Sequence, residues 1–176
     1  MEILTERLRL RPLAADDFDA FAAMAQDPLT VRFLTLDGKP PSRAMAWRSF
    51  AMMVGHWSLR GFGFFSVFER DSGRWVGRVG PWMPEGWPGL ECGWGIDPAC
   101  RGKGYAAEAA IAAIRWVFQE KPELPRIISL IVAENVNSQA VARKIGENRT
   151  DEIYMLEHIR CEIWAADRAE WLARFG

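Results

Sequence analysis

The chain has 176 residues, 49% of them hydrophobic and 26% charged, with a formal net charge of −1. That length and apolar content suffice for one domain over residues 1–176 with a sizeable core. The near-neutral balance leaves no basic footprint for nucleic acid or an anionic membrane surface, and no apolar run approaches the ~20 residues that span a bilayer.

Met1 to Arg7 lack a basic segment followed by an apolar one, so no secretory leader is expected. Cys92, Cys100 and Cys161 are odd in number and far apart, which suggests no disulfide framework. With His56 they also lack metal-site spacing, so no metal is expected. These features read as a reduced, cytoplasmic protein.

Leu8 to Leu13 alternates apolar residues with arginines, which predicts a strand with one exposed face. Ala15 to Gln26 reads as a helix, with Phe18, Phe21, Ala22 and Ala25 on one stripe and Asp16 and Asp17 favourable at its start. Asp27-Pro28 is expected to end it. A turn follows over Asp37 to Pro41, and Ser42 caps a second helix to about Leu59. Strands are predicted over Phe64 to Glu69 and Arg74 to Trp82, joined at Asp71-Ser72-Gly73. Pro84 to Gly89 is a loop before a strand from Leu90 to Ile96.

An alanine-rich helix is expected over Gly104 to Gln119 and a buried strand over Arg126 to Ala133. Next comes a short helix capped by Ser138 and stopped by Gly146, then a strand over Glu157 to Ala165 and a helix over Arg168 to Phe175. A meander followed by a parallel crossover predicts an α+β fold, distinct from doubly wound order.

The stretch from Leu90 to Ala109 combines strand, glycine-rich turn and helix N-terminus, an arrangement suited to a diphosphate. Gly102 and Gly104 admit close backbone approach, and Arg101 and Lys103 are expected to add cationic donors. A P-loop is excluded, because its first glycine would fall on Asp97 and Gly104 occupies the Ser/Thr position. Gly102-x-Gly104-x-x-Ala107 fits a dinucleotide fingerprint locally. It does not directly follow the strand, and Glu134 lies too far downstream for the ribose contact.

Arg101-Gly102-Lys103-Gly104-Tyr105-Ala106 also fits Arg/Gln-x-x-Gly-x-Gly/Ala, and here the chain resembles the GNAT family of acyl-CoA N-acyltransferases. Asn135-x-x-Ser138, followed by a helix closing in Lys144-Ile145-Gly146, is similar to that family's second coenzyme A segment. With the opening from Thr5 to Arg11, it resembles the branch that acetylates ribosomal-protein N-termini.

The resemblance implies a mixed, mostly antiparallel central sheet flanked by helices, with a splayed central strand pair. It implies acetyl-CoA as donor and a primary amine, on a peptide N-terminus or a small molecule, attacking directly. Backbone around Trp94, Gly95 and Ile96 would meet the pantetheine and acetyl carbonyl. The loop Arg101, Gly102, Lys103, Gly104, Tyr105 and Ala106, with Asn135 and Ser138, would hold the remainder of the coenzyme.

Glu91, flanked by Trp87 and Trp94, is the candidate base or ammonium holder, its pKa raised by apolar surroundings. A buried ion pair is its alternative reading. Many members carry a tyrosine where this chain has Ala142, and Ser138 is the substitute acid that the branch implies. Trp82, Trp87 and Glu91 are expected on the acceptor side, with Trp57 extending an apolar cleft. Aromatics of the Pro81 to Trp87 loop are candidates for a homodimer contact. Glu108 reads as a dipole-complementing or salt-bridging residue, and His56 and His158 as exposed or capping histidines. Cys100 lacks a neighbouring histidine and is not expected to be a nucleophile. Glu147 to Asp151 is polar where relatives are apolar. A non-catalytic acyl-CoA-binding module, favoured by Ala142, and a nucleotide-dependent oxidoreductase are the alternatives.

Overall fold

The computed structural model describes residues 1–35 and 38–176; the turn expected over 37–41 begins outside the described residues. The chain opens with β1 (Ile3–Leu4) and β2 (Leu8–Pro12), where Leu8 and Leu10 are fully buried and the intervening arginine is not. A short 3-10 turn leads into α1 (Phe18–Met24), whose Phe18, Phe21 and Ala22 form the expected stripe. Asp27 does more than end this helix. Its carboxylate accepts from the Thr30 N–H at 2.8 Å with Pro28 at the first helical position, so it also starts α2 (Pro28–Leu34). An N-cap followed by proline is a start signal as well as a stop. α3 (Arg43–Arg60) is capped by Ser42 and ends at Gly61, whose φ of 75° closes the last turn.

Next come β3 (Phe65–Glu69), β4 (Trp75–Trp82), β5 (Glu91–Ile96), α4 (Tyr105–Glu120), β6 (Arg126–Val132) and α5 (Val136–Lys144). Asn135, and not Ser138, caps α5: its Oδ1 accepts from the Ser138 N–H at 3.1 Å. The late strand is a hairpin, β7 (Asn148–Leu156) and β8 (Ile159–Asp167), turning at Glu157-His158. β7 escapes sequence reading because it is an edge strand, exposed along much of its length and correspondingly polar. α6 (Arg168–Phe175) ends the chain.

The eight strands form one sheet in the order β1-β2-β3-β4-β5-β6-β8-β7, and only β5 and β6 run parallel. Alanines 109, 110, 112 and 113 of α4 are buried against one face, where small side chains permit close helix–sheet approach. α1 and α3 cover part of the other face around Phe64 and Trp82. β5 and β6 share a single registered pair, Glu91 with Ile128, beside an Ile128 N–H to Leu90 carbonyl bond of 3.0 Å. Beyond it the two strands part. The splayed central pair therefore exists, and Glu91 stands at the fork.

Candidate active site

At the end of β5 the chain turns through Gly102 and Gly104, with φ of 78° and 83°. Both angles lie in the left-handed region that side-chain-bearing residues avoid. Gly104 is the N-cap of α4 and supplies no side-chain acceptor, so the first amides of the helix stay available to an anion. The charges expected beside this loop are otherwise engaged. Arg101 donates to Asp27 at 2.6 Å, to Thr30 Oγ1 at 3.0 Å and to the Ile96 carbonyl at 3.2 Å, fastening α2 to the end of β5. Lys103 lies 3.3 Å from Glu69, whose carboxyl is held at about 2 by hydrogen bonds from Ser72, Tyr105 and Lys103. The cradle's positive character thus comes mainly from backbone.

Glu108, in the first turn of α4, is a salt-bridging residue. Its carboxylate takes the Thr5 hydroxyl at 2.6 Å, the Arg7 amide at 2.9 Å and Arg7 Nε at 2.7 Å, while Arg7 also reaches the Lys103 carbonyl at 2.9 Å. This explains the opening motif: Thr5 and Arg7 brace the loop, Leu8 and Leu10 fill the core, and Arg11 pairs with Asp17 at 2.6 Å.

The alternation of a strand decides which β5 amides are free. The carbonyls of Leu90 and Cys92 point toward β6, where Ile128 and Ser129 meet them, whereas the Asp97 N–H points to Val76 near β4. By the same alternation Trp94 and Ile96 present their N–H groups to the gap, and Gly95 presents its own to β4. Gly95 lines the groove without offering its amide. Across the gap, Ser138 Oγ accepts from Trp94 Nε1 at 3.2 Å. The resulting groove, about 370 Å³, runs from Trp94, Gly95 and Ile96 past Gly102 to Ala106, facing Asn135, Ser138 and Lys144.

A second cavity of about 240 Å³ shares Phe33, Trp94, Asn135 and Ser138 with the groove. It holds Trp82, Trp87 and Glu91, and β7–β8 closes it with Leu156 and Ile159. Trp87 Nε1 donates to Glu91 at 2.7 Å, and the Tyr154 hydroxyl donates to the Gly86 carbonyl at 2.9 Å, tying the hairpin to the β4–β5 loop. Burial pushes the Glu91 carboxyl up to about 7 against the Trp87 bond, the Arg78 charge and the Leu130 amide. Trp82 is buried, stacked 4.4 Å from His56 and 5.1 Å from Phe64, and Trp87 is half-buried. The loop therefore lacks the exposed aromatics expected of a dimer contact. Trp57 packs on Trp116 and Phe65 instead of lining this cavity.

His56 is neither exposed nor a cap but buried and structural: Nδ1 lies 2.7 Å from the Phe62 carbonyl, and the Met83 N–H reaches Nε2 at 3.4 Å. His158 sits exposed in the β7–β8 turn. Burial pushes the Cys92, Cys100 and Cys161 thiols up, so none is poised as a thiolate.

Sequence reading missed three contributors. Phe33 on α2 was hidden by reading Asp27-Pro28 only as a stop. Arg78 is a lone charge in the buried run Val76 to Trp82, a signal in itself. Glu147 is 1% exposed, with Oε1 3.0 Å from Ser129 Oγ and Oε2 unpartnered. Ser129 Oγ also lies 2.8 Å from the Cys92 carbonyl, yet one hydroxyl proton can satisfy only one acceptor. A protonated Glu147 donating to Ser129 satisfies both, and burial does push this carboxyl well above its ordinary range.

Residues 7–148 match the model of the family described as "Acetyltransferase (GNAT) domain". The chain is 29% identical over 149 residues to the uncharacterized N-acetyltransferase YnaD of Bacillus subtilis (strain 168), covering 85% of this chain and 84% of that protein. The crystal structure of an acetyltransferase from Agrobacterium tumefaciens str. C58 superposes with a TM-score of 0.83 at 30% identity, covering 94% of each chain. A candidate ribosomal-protein-serine acetyltransferase from Vibrio cholerae gives a TM-score of 0.72 at 25% identity, covering 95% of this chain and 97% of that one. A family match over most of the chain, on a sheet forked at Glu91, means that the chain belongs to the GNAT acetyltransferases, which carry acetyl groups from acetyl-CoA to amines, and within them it is similar to the ribosomal-protein acetyltransferase branch.

Proposed function

We propose that this protein acetylates a primary amine at the fork between β5 and β6, with the groove holding acetyl-CoA and the aromatic chamber holding the acceptor. The observation that carries this reading is the junction of the two cavities at Trp94 and Ser138, one lined by loop backbone and the other by Glu91. The donor set fits the coenzyme: uncapped amides and the dipole of α4 suit a pyrophosphate, and unpaired strand amides suit an extended amide-bearing arm. Bound there, acetyl-CoA supplies the acyl group as a thioester.

The backbone of Arg101, Gly102, Lys103, Gly104, Tyr105 and Ala106 holds the diphosphate, and Asn135 shapes the facing wall by capping α5. The Trp94 and Ile96 amides donate to carbonyls in the gap, including the one on which negative charge develops. Glu91, with a pKa near neutrality, receives the acceptor's ammonium and takes its proton, leaving a neutral amine to attack. Ser138 already accepts from Trp94, so its own proton is free for the departing thiolate. Trp82 and Trp87 wall the acceptor. One domain over residues 1–176 carries both cavities, and a cytoplasmic setting suits its three buried free thiols.

The test is calorimetric titration with acetyl-CoA, with NADH as comparison, on the wild type and Gly104→Trp, followed by thiol release with an amine panel. We expect acetyl-CoA to bind the wild type, Gly104→Trp to lose it, and NADH not to bind. Failure of acetyl-CoA to bind the wild type overturns the reading. NADH binding in its place supports an oxidoreductase, and acetyl-CoA binding without thiol release for any amine supports a non-catalytic module.

A further inference from the structure

Arg78 is 8% exposed on a strand otherwise built of apolar residues and glycine. Its guanidinium lies 4.0 Å over the Phe64 ring, and its Nε has no hydrogen-bond partner. Among the described residues it forms no ion pair. Burying an unpaired guanidinium is costly, and arginine scarcely escapes by losing its proton: burial pulls it down only to about 10, which leaves it charged at neutral pH. A site that keeps such a group has a use for an anion.

Position says which anion. Arg78 lines the aromatic chamber and is absent from the coenzyme groove, so the coenzyme's phosphates do not account for it. The register pairs Arg78 with Gly95, Gly80 with Gly93 and Trp82 with Glu91, which puts Arg78 and Glu91 on one face of the sheet. Along this face Gly93 and Gly95 leave the floor without side chains of their own. The Phe64 ring fills part of it, meeting a Cβ built on Gly93 at 2.9 Å. The two charges influence each other across this floor without forming a salt bridge. A cation and an anion held apart in one chamber with aromatic walls are complementary to a zwitterion with an apolar body.

We infer that the acceptor is of the amino-acid class: a small molecule bearing a primary amine received by Glu91, a carboxylate received by Arg78, and an apolar or aromatic side chain against Phe64, Trp82 and Trp87. This rests on the acetyltransferase reading above. In the reaction the amine nitrogen bonds to the acyl carbon as the carbon–sulfur bond breaks. Glu91 takes one ammonium proton and returns it to solvent, the second leaves the nitrogen as the amide forms, and the thiolate takes one from Ser138, which that second proton restores, so the products are an N-acetyl amino acid, free coenzyme A and a proton.

The experiment compares matched pairs that differ by the carboxylate, phenylalanine against 2-phenylethylamine and leucine against 3-methylbutylamine, with the β-amino-acid homologues included. Thiol release is followed at saturating acetyl-CoA for the wild type, Arg78→Met and Arg78→Lys. We expect the wild type to favour the acids by about ten- to a hundredfold in kcat/KM, the gain from a charge-assisted bond in a dry site. Arg78→Met brings that ratio close to one, chiefly through KM, and Arg78→Lys retains part of it. The inference is overturned if amines without a carboxylate, or unrelated peptide N-termini, serve the wild type equally well. It is also overturned if Arg78→Met lowers both members of a pair alike. The wild-type ratio needs no variant to fold, and acetyl-CoA titration of the same samples shows separately whether the transferase reading itself has failed.

Discussion

The coenzyme groove and the acceptor chamber meet at Trp94 and Ser138 but are made of different material. The groove is built from three chain segments, α2, the stretch from Trp94 to Ala107 and α5, and its anion-binding groups are mostly backbone amides set by Gly102, Gly104 and the start of α4. The cations of its loop, Arg101 and Lys103, lie on carboxylates that hold the loop together, and Lys144 stands on the facing wall. The chamber draws side chains from α2, α3, β4, β5, β6, α5 and the β7–β8 hairpin, and it keeps Arg78 and, just behind, Glu147 buried, with Glu91 half-buried on its wall. Backbone recognition suits a ligand common to a whole family. Side-chain recognition, with charges held against their solvation preference, is where one chain acquires its own acceptor.

If that division is right, damage to the chamber should leave coenzyme binding intact. The largest effect belongs to Glu91→Gln, expected to lower kcat about 10²- to 10³-fold with little change in acetyl-CoA affinity. Wild-type kcat should rise with pH through about 7, as Glu91 loses its proton, and the variant should lack that rise. A matching fall in acetyl-CoA affinity, measured by calorimetry, would break the comparison.

Glu147→Leu should act on stability. A carboxyl whose folded pKa lies above its unfolded value, about 4.3, contributes stability below that value and loses it as pH climbs toward the folded pKa. Wild-type Tm should therefore decline from pH 4.5 to pH 8, and the variant should flatten the slope and gain about 1–3 kcal/mol at pH 8. A variant less stable than wild type at pH 8 would show that the Ser129 contact outweighs desolvation. The smallest effect is Tyr154→Phe, which removes the bond to Gly86 and should cost about 1 kcal/mol of hairpin anchoring. A two- to fivefold rise in acceptor KM at unchanged acetyl-CoA affinity would locate the hairpin's role in the chamber alone.

The same division explains what was legible in the sequence. Two glycines and a following helix are local, so a diphosphate cradle is legible in the residues themselves, whereas the fork and the place of Glu91 beside it follow only from the family resemblance. The roles of Phe33, Arg78 and Glu147 are not legible there, even though Arg78 stands out as a lone charge in an apolar run, because they lie in residues distant along the chain: Arg78 in Phe64 and Gly95, and Glu147 in Ser129 and Cys92. Ser138 reads as a cap because Ser, Asn and a helix start within four residues admit two registers. Asn135 takes the capping role and leaves the serine hydroxyl facing Trp94. β7 was missed because an edge strand satisfies its polar side chains in water and shows no apolar alternation.

The brace formed by Thr5 and Arg7 on Glu108 and the Lys103 carbonyl gives the first strands a thermodynamic stake in the ligand. Fraying of β1 and β2 releases the loop that cradles the diphosphate, and a ligand seated in that loop opposes the fraying by the same free energy. Amide protons near the start of the chain should then exchange with solvent more slowly once the groove is filled, though none of those residues lines it. Residues that look like mere N-terminal trim become a reporter of occupancy, and a lever on it.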